Sequence, residues 1–152
     1  MFTTRYARFG APLPEGLKVL HATEFLSELL DQGKLIFKKK LNKPVTYHDP
    51  CCLARFTYVL EPPRKILSAL SDSPIVEMNW SGKQARSCGG CGGVPYTYQE
   101  ISERASQVRI EEAAKTGAQI LASADPECEE VLSRAAKQIE VKDIVELVAE
   151  AI

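Results

Sequence analysis

The chain has 152 residues, of which 45% are hydrophobic and 26% are charged, as expected for one ordinary globular domain with a buried core. Its net charge of −1 offers no electrostatic attraction for nucleic acid, so nucleic-acid binding is not expected. The sequence shows no apolar run of membrane-spanning length and no signal segment, which predicts a cytoplasmic protein without direct membrane insertion.

The sequence pattern in the first half of the chain predicts an extended arm followed by alternating strands and helices. The stretch 1–16 is rich in Gly and Pro and has no sustained period, so we expect an extended arm there and a single domain over 17–152. The predicted elements are a strand at 17–21, a helix at 24–32 capped by Thr23, a strand or turn at 34–41, a strand at 45–47, a short helix at 53–58, a helix at 64–70 and a strand at 75–78.

The second half predicts the longest helix, at 98–116, with an apolar face formed by Ile101, Ala105, Val108 and Ala113. The later elements are a strand at 119–122, a helix from Cys128 to about Lys137, a strand at 139–141 and a closing helix capped by Asp143. This alternation indicates an α/β fold with a mostly parallel sheet flanked by helices. The loops that follow parallel strands gather at the carboxyl edge of the sheet, which is the usual ligand site.

Five cysteines lie in the predicted loops. Cys51, Cys88 and Cys128 each follow a predicted strand, so we expect them to converge at the carboxyl edge. In a reducing compartment, thiols in this arrangement are typical of metal ligands or redox groups rather than of structural disulfides. Thiolates favour zinc, copper(I) or iron–sulfur centres over magnesium or calcium.

The densest of these loops is Ser87 to Gly93, which holds two cysteines and four glycines in seven residues. The spacing Cys88-x-x-Cys91 occurs in zinc sites, iron–sulfur loops and redox dithiols. The flanking glycines favour a metal or a cluster, because they allow backbone N–H groups to approach the sulfurs. Cys128, at a predicted helix start, fits either a ligand with a lowered pKa or a small buried residue.

The other candidates surround Cys51. Cys51 and Cys52 are adjacent, so one of them is expected to face away from the site, and Cys51 is favoured because it directly follows Asp49 and Pro50. His48 is a candidate ligand or proton donor, with a structural role as the alternative.

Three elements of this sequence resemble the cysteine-rich CCG domain of heterodisulfide reductase catalytic subunits and of related iron–sulfur subunits. They are His48 to Cys51, Ser87 to Gly90 and Asp125 to Cys128. The resemblance implies a [4Fe–4S] cluster, non-cubane in some members, or zinc in others, and a role in electron transfer or disulfide reduction within larger complexes. Ser87 and Asp125 stand where that family has two of its five cysteines, which leaves a conventional four-ligand cluster as the expectation.

We therefore predict an iron–sulfur electron-transfer subunit, domain or fragment of a heterodisulfide reductase-like oxidoreductase, with other oxidoreductase subunits as its partners. The predicted cluster ligands are Cys51, Cys88, Cys91 and Cys128. Cys52 or Asp125 could take the place of Cys91, and His48 is a further candidate. The alternatives are a structural zinc at the same thiols and a metal-free thiol–disulfide module of Cys88 and Cys91. Association of the chain with copies of itself stays open.

Overall fold

The computed structural model describes residues 6–152 and places a three-stranded parallel sheet at the centre of the domain. The strands are β1 (Val45–His48), β2 (Ile120–Ser123) and β3 (Glu140–Asp143), in the spatial order β1-β2-β3. The register pairs His48 with Ser123 and Ser123 with Asp143, so the three strands end side by side. The central strand β2 is uncharged and buried along its whole length, as expected when helices cover both faces of a parallel sheet. The predicted α/β fold is confirmed.

Helices cover both faces of this sheet. They are α1 (Ala22–Asp31), α2 (Glu61–Leu70), α3 (Val94–Thr97), α4 (Gln99–Ala114), α5 (Pro126–Ala135) and α6 (Ile144–Ala151). A π-helical turn spans Cys52–Thr57, and 3-10 turns span Tyr6–Phe9, Gly82–Gln84 and Cys91–Gly93. The helices α1, α2 and α6 pack together on one side, whereas α4 and α5 pack together on the other.

The two faces of the sheet therefore have separate cores. Side chains alternate between the faces along each strand, so Val45 and Tyr47 point into the core with α2 and α6. The second core lies on the side of α4 and α5 and contains Leu121 together with Cys88 and Cys128. Two of the five cysteines thus belong to the hydrophobic interior of the domain.

The structure corrects two predictions near the N-terminus. Residues 17–21 form no strand. Of the two alternatives left open at 34–41, a strand or a turn, the strand is absent apart from an isolated bridge between Leu41 and Ser71. The cap of α1 is His21 rather than Thr23, because the His21 side chain accepts from the backbone N–H of Thr23 while the Glu24 carboxylate accepts from that of His21. Residues 1–5 of the predicted arm lie outside the described residues.

The strand predicted at 75–78 is also wrong. This segment runs beside β1, where the backbone N–H of Val76 donates to the carbonyl of Val45 at 3.0 Å. The carbonyl of Val76 accepts from the hydroxyl of Thr46 at 2.6 Å, so a side chain takes the place of a ladder bond. Cys88 therefore does not follow a strand, unlike Cys51 and Cys128.

The buried face of α4 differs from the predicted one. Ile101 is 62% exposed, whereas Ser102, Ser106, Arg109 and Ala113 are buried. The small side chains of Ser102 and Ser106 leave room for the glycine loop to pack against α4. Within the residues that the structure describes, no helix is long and apolar enough to cross a membrane.

Candidate metal centre

The five cysteines meet at the carboxyl edge of the sheet. Cys51 precedes the π-helical turn after β1, and Cys128 lies in the first turn of α5 after β2. The Sγ atoms of Cys51 and Cys91 are 3.1 Å apart, those of Cys88 and Cys128 are 3.0 Å apart, and those of Cys52 and Cys91 are 4.0 Å apart. All five thiols are free of disulfide bonds.

The candidate metal-ligand residues form two groups that differ in burial. The inner group consists of His48, Cys88 and Cys128, all buried, and the outer group consists of Cys51, Cys52 and Cys91. Within each group the candidate ligand atoms lie within 4.8 Å of one another. Cys91 links the two groups, because it lies three residues after Cys88 in the glycine loop and also shifts the pKa of Cys88 and that of Cys128.

The glycine loop is held between two helices. Gly89 has φ +88°, and a Cβ atom added to it would lie 2.6 Å from the carbonyl oxygen of Ser102 in α4. A Cβ added to Gly90 would lie 2.9 Å from the carbonyl oxygen of Glu127 in α5. The hydroxyl of Ser106 lies 2.7 Å from the carbonyl oxygen of Cys88. Both glycines are thus required by close backbone packing, and this packing places Cys88 beside Cys128.

A buried ion pair fixes the loop that carries Cys51. Asp49 is almost fully buried and accepts two parallel hydrogen bonds from Arg64, at 2.8 and 2.9 Å. Its Oδ2 also accepts from the backbone N–H of Gly82 at 2.7 Å. Bidentate pairs of this kind restrict geometry strongly, so Asp49 positions the turn between β1 and Cys51.

The inner thiols share their protons unequally. The side-chain contacts with Cys128, whose sulfur is 3.0 Å away, and with Cys91 lower the pKa of Cys88 to about 4, and the backbone N–H of Gly90 donates to the Cys88 sulfur at 3.3 Å. The same contact, together with burial, raises the pKa of Cys128 well above the usual range. The protein therefore stabilises a thiolate at Cys88.

Two thiols of the outer group, Cys51 and Cys52, favour the protonated form. Burial and the neighbouring Cys91 raise the pKa of Cys51 to about 11 and that of Cys52 to about 12. Because a thiol must lose its proton to become a metal ligand, metal binding by this set would release protons.

A buried polar network that the sequence did not reveal adjoins the inner group. Arg109 is fully buried and donates from Nε to Nδ1 of His48 at 2.9 Å. Its Nη1 pairs with Glu112 at 2.8 Å, and Glu112 also pairs with Arg86 at 3.0 Å. Burial, and then the charge of Arg109, lower the pKa of His48 to about 3, so this imidazole is neutral. The spacing of Ser102, Ser106, Arg109 and Ala113 is the sequence signal that could have identified the network.

Asp125 and Ser87 have local backbone roles. The Oδ1 atom of Asp125 accepts from the backbone N–H groups of Glu127 and Cys128, at 2.9 and 3.1 Å, and so caps α5. The Ser87 hydroxyl accepts from the backbone N–H of Gly89 at 3.1 Å. Neither residue belongs to the inner or the outer group.

This donor set fits a thiolate-ligated metal centre. Five thiols converge, one is already stabilised as a thiolate, and Nε2 of His48 is buried without a hydrogen-bond partner among the described residues. Soft sulfur donors of this kind bind zinc or iron–sulfur clusters.

Comparison with known proteins agrees with this chemistry. The profile of the CCG cysteine-rich domain matches residues 45–133, which include all five cysteines. A dihydromethanophenazine:CoB–CoM heterodisulfide reductase subunit from Methanosarcina barkeri is 40% identical over 147 residues, with 94% of this chain and 36% of the relative covered. The probable iron-sulfur-binding oxidoreductase FadF of Bacillus subtilis is 34% identical over 158 residues, with 100% of this chain and 22% of the relative covered.

A third relative is a fumarate reductase (CoM/CoB) subunit from Methanothermobacter marburgensis. It is 35% identical over 141 residues, with 93% of this chain and 25% of the relative covered. The chain thus spans between 22% and 36% of the length of these three relatives. The matched region runs from β1 into α5 and contains the whole candidate centre. The chain belongs to the CCG cysteine-rich domain family.

Proposed function

We propose that this chain is an electron-transfer domain or subunit that holds one [4Fe–4S] cluster within a heterodisulfide reductase-like oxidoreductase. The convergence of five free thiols at the sheet edge is the observation that carries this proposal. The names of the relatives support it, since one is a heterodisulfide reductase subunit and another a probable iron-sulfur-binding oxidoreductase. When bound, such a cluster supplies a one-electron redox centre.

The proposed ligands are Cys51, Cys88, Cys91 and Cys128. Cys91 is preferred to Cys52 as the fourth because its sulfur is 3.1 Å from that of Cys51 and because it shifts the pKa of both inner thiols. Cys52 is exposed, and its sulfur is 4.0 Å from that of Cys91. The carboxylate of Asp125 already caps α5, which makes it a weaker candidate.

The chain's own residues would shield and tune the centre on one side and expose it on the other. Cys88 and Cys128 are 1% and 0% exposed, so water is excluded from the inner sulfurs. The N–H of Gly90 is directed at the Cys88 sulfur, an arrangement that stabilises negative charge there. Cys51 and Cys91 are half-buried and bring the site to the protein surface, where a partner could exchange electrons with it.

We expect that partner to be another oxidoreductase subunit docking beside the outer group. Phe56 and Tyr96 are 62% and 89% exposed, and they belong to the segments that directly follow Cys52 and Cys91. Aromatic side chains are enriched in protein–protein interfaces, so their exposure beside the cysteines favours docking there. The free state of all five thiols fits a reducing compartment such as the cytoplasm.

Zinc is the second candidate for the same thiols. Four sulfurs at about 2.3 Å from a tetrahedral zinc ion lie roughly 3.8 Å apart. The sulfur pairs Cys51–Cys91 and Cys88–Cys128, at 3.1 and 3.0 Å, are within about 1 Å of that value. A bound zinc would be structural, because thiolates would occupy all four of its coordination positions.

Metal and sulfide analysis of anaerobically purified protein separates these functions. The proposal predicts a brown protein with iron and acid-labile sulfide in equal amounts, about four of each per chain. Zinc near one per chain with no sulfide would support the structural role instead. A protein that takes up neither metal, even after anaerobic reconstitution, would contradict both.

A further inference from the structure

The imidazole of His48 is placed against the inner sulfurs with one nitrogen already engaged. A ring nitrogen of His48 lies within 4.8 Å of the sulfurs of Cys88 and Cys128. Its Nδ1 is 2.9 Å from Nε of Arg109. Its Nε2 is buried and has no hydrogen-bond partner in the described part of the chain. The nitrogen left to face a sulfur is therefore Nε2.

The bond to Arg109 decides which nitrogen carries the proton. A guanidinium group has only donors, so Nδ1 of His48 must accept through its lone pair. A neutral imidazole carries one proton, which must then reside on Nε2. A protonated Nε2 has no free lone pair and cannot bind a metal ion, but it can donate a hydrogen bond to a thiolate sulfur.

Ion pairs hold the side chain of Arg109 in its position beside His48. It is fully buried, and its Nη1 pairs with Glu112, which also pairs with Arg86 in the segment before Cys88. This series of ion pairs connects α4 to the glycine loop. It fixes the guanidinium opposite the end of β1, where His48 lies.

We infer that the Nε2–H of His48 is the donor available to the inner sulfurs, Cys88 and Cys128, when these are thiolates, and that Arg109 is the positioning residue that fixes this tautomer. The inference rests on the proposed function only where it concerns the potential of the centre. An N–H group directed at a ligand sulfur stabilises the more negative, reduced state and so raises the reduction potential. His48 is then a tuning group rather than a ligand.

The tautomer can be tested in the metal-free chain by NMR with ¹⁵N-labelled histidine. The chain has two histidines, so the His21→Asn variant leaves the His48 signals alone, and asparagine preserves a capping side chain for α1. We expect a protonated Nε2 and an unprotonated Nδ1. The Arg109→Met variant should lose this preference, whereas Arg104→Met, at an exposed position of the same helix, should keep it. A proton on Nδ1 in the parent chain would overturn the inference.

The reduction potential gives a second, independent test in the iron-loaded protein. His48→Phe should lower the reduction potential by about 59 mV. For a one-electron couple this corresponds to a tenfold change in the equilibrium constant. Arg109→Met should lower it in the same direction, and the double variant should show little further change, because both act through one N–H group. An unchanged potential in His48→Phe, or additive shifts, would overturn the inference.

The two tests separate this inference from the proposed function. A chain that assembles no iron–sulfur centre would contradict the proposed function, while the NMR experiment would still decide the tautomer and the role of Arg109. Nitrogen hyperfine coupling from a directly bound histidine in the iron-loaded protein would show that His48 is a ligand, and would reject the inference while leaving the proposed function intact.

Discussion

The inner and outer groups of thiols differ in how the fold holds them. Cys88 and Cys128 are part of a hydrophobic core, and backbone packing between α4 and α5 determines their separation. Cys51, Cys52 and Cys91 lie on turns near the surface, and the ion pair of Asp49 with Arg64 fixes the turn that leads into Cys51. The hydrophobic core thus determines the positions of Cys88 and Cys128, whereas surface turns determine those of Cys51, Cys52 and Cys91.

This difference implies a division of roles. The inner thiols should determine whether a centre forms at all and what its potential is, because they are rigid, dry and next to His48. The outer thiols should complete the coordination and bring the centre to the surface, where a partner can approach. The predictions that follow test this division, from the largest expected effect to the smallest.

Replacement of either inner thiol should abolish the centre. In Cys88→Ser and Cys128→Ser we expect no iron–sulfur absorption after anaerobic reconstitution, since each change removes a buried sulfur that no other residue can replace. Ser87→Ala is the matched control beside Cys88, and it should reconstitute normally. A full iron complement in Cys88→Ser would show that the inner group does not hold the centre.

The two outer cysteines that compete for the fourth position should differ. We expect Cys91→Ser to lower the iron content severalfold, because the Cys91 sulfur is 3.1 Å from that of Cys51 and also influences the pKa of Cys88. Cys52→Ser should leave the iron content close to that of the parent chain. Iron and sulfide analysis of the two purified variants checks this, and the reverse result would assign the ligand role to Cys52.

The close packing of the glycine loop should be visible in stability. Gly89→Ala should lower the free energy of unfolding by about 2–4 kcal/mol, from left-handed backbone strain together with overpacking. Gly92→Ala is the control, since Gly92 also has positive φ but no atom within 4 Å of the added Cβ. It should cost only about 1–2 kcal/mol. Urea unfolding of the metal-free variants gives both values, and equal losses would contradict the packing of Gly89 against Ser102.

The smallest effect is expected at the cap of α5. Asp125→Ala should lower the free energy of unfolding by about 1 kcal/mol, because two backbone N–H groups lose their acceptor. Asp125→Asn should retain most of the stability, since asparagine caps about as well as aspartate. Both variants should keep the iron content, and a loss of iron in Asp125→Asn would make the carboxylate a ligand.

Local patterns in the sequence were sufficient to predict most of the fold. Val45 to Tyr47 and Gln119 to Ala122 are short apolar runs, and the structure places β1 and β2 there. The cap at Asp143 was also predicted correctly. The convergence of Cys51 and Cys128 followed from the topology, because both come after strands that end at the same edge.

Other features of the site depend on tertiary contacts that a linear pattern does not contain. Residues 75–78 were predicted as a strand, yet the Thr46 hydroxyl replaces a ladder bond there. Arg109 is absent from the apolar face predicted for the helix at 98–116, because a buried arginine is identifiable only once its partners His48 and Glu112 are known. Gly89 and Gly90 were recognised as special, but the helices that pack against them could not be predicted.

Mössbauer spectroscopy of the chain reconstituted anaerobically with ⁵⁷Fe tests the central claim most directly. The account predicts the spectrum of one [4Fe–4S] cluster per chain, and its absence from Cys88→Ser prepared in the same way. A spectrum of isolated ferrous or ferric sites, or an iron spectrum that persists unchanged in Cys88→Ser, would contradict the assignment of a cluster to these thiols.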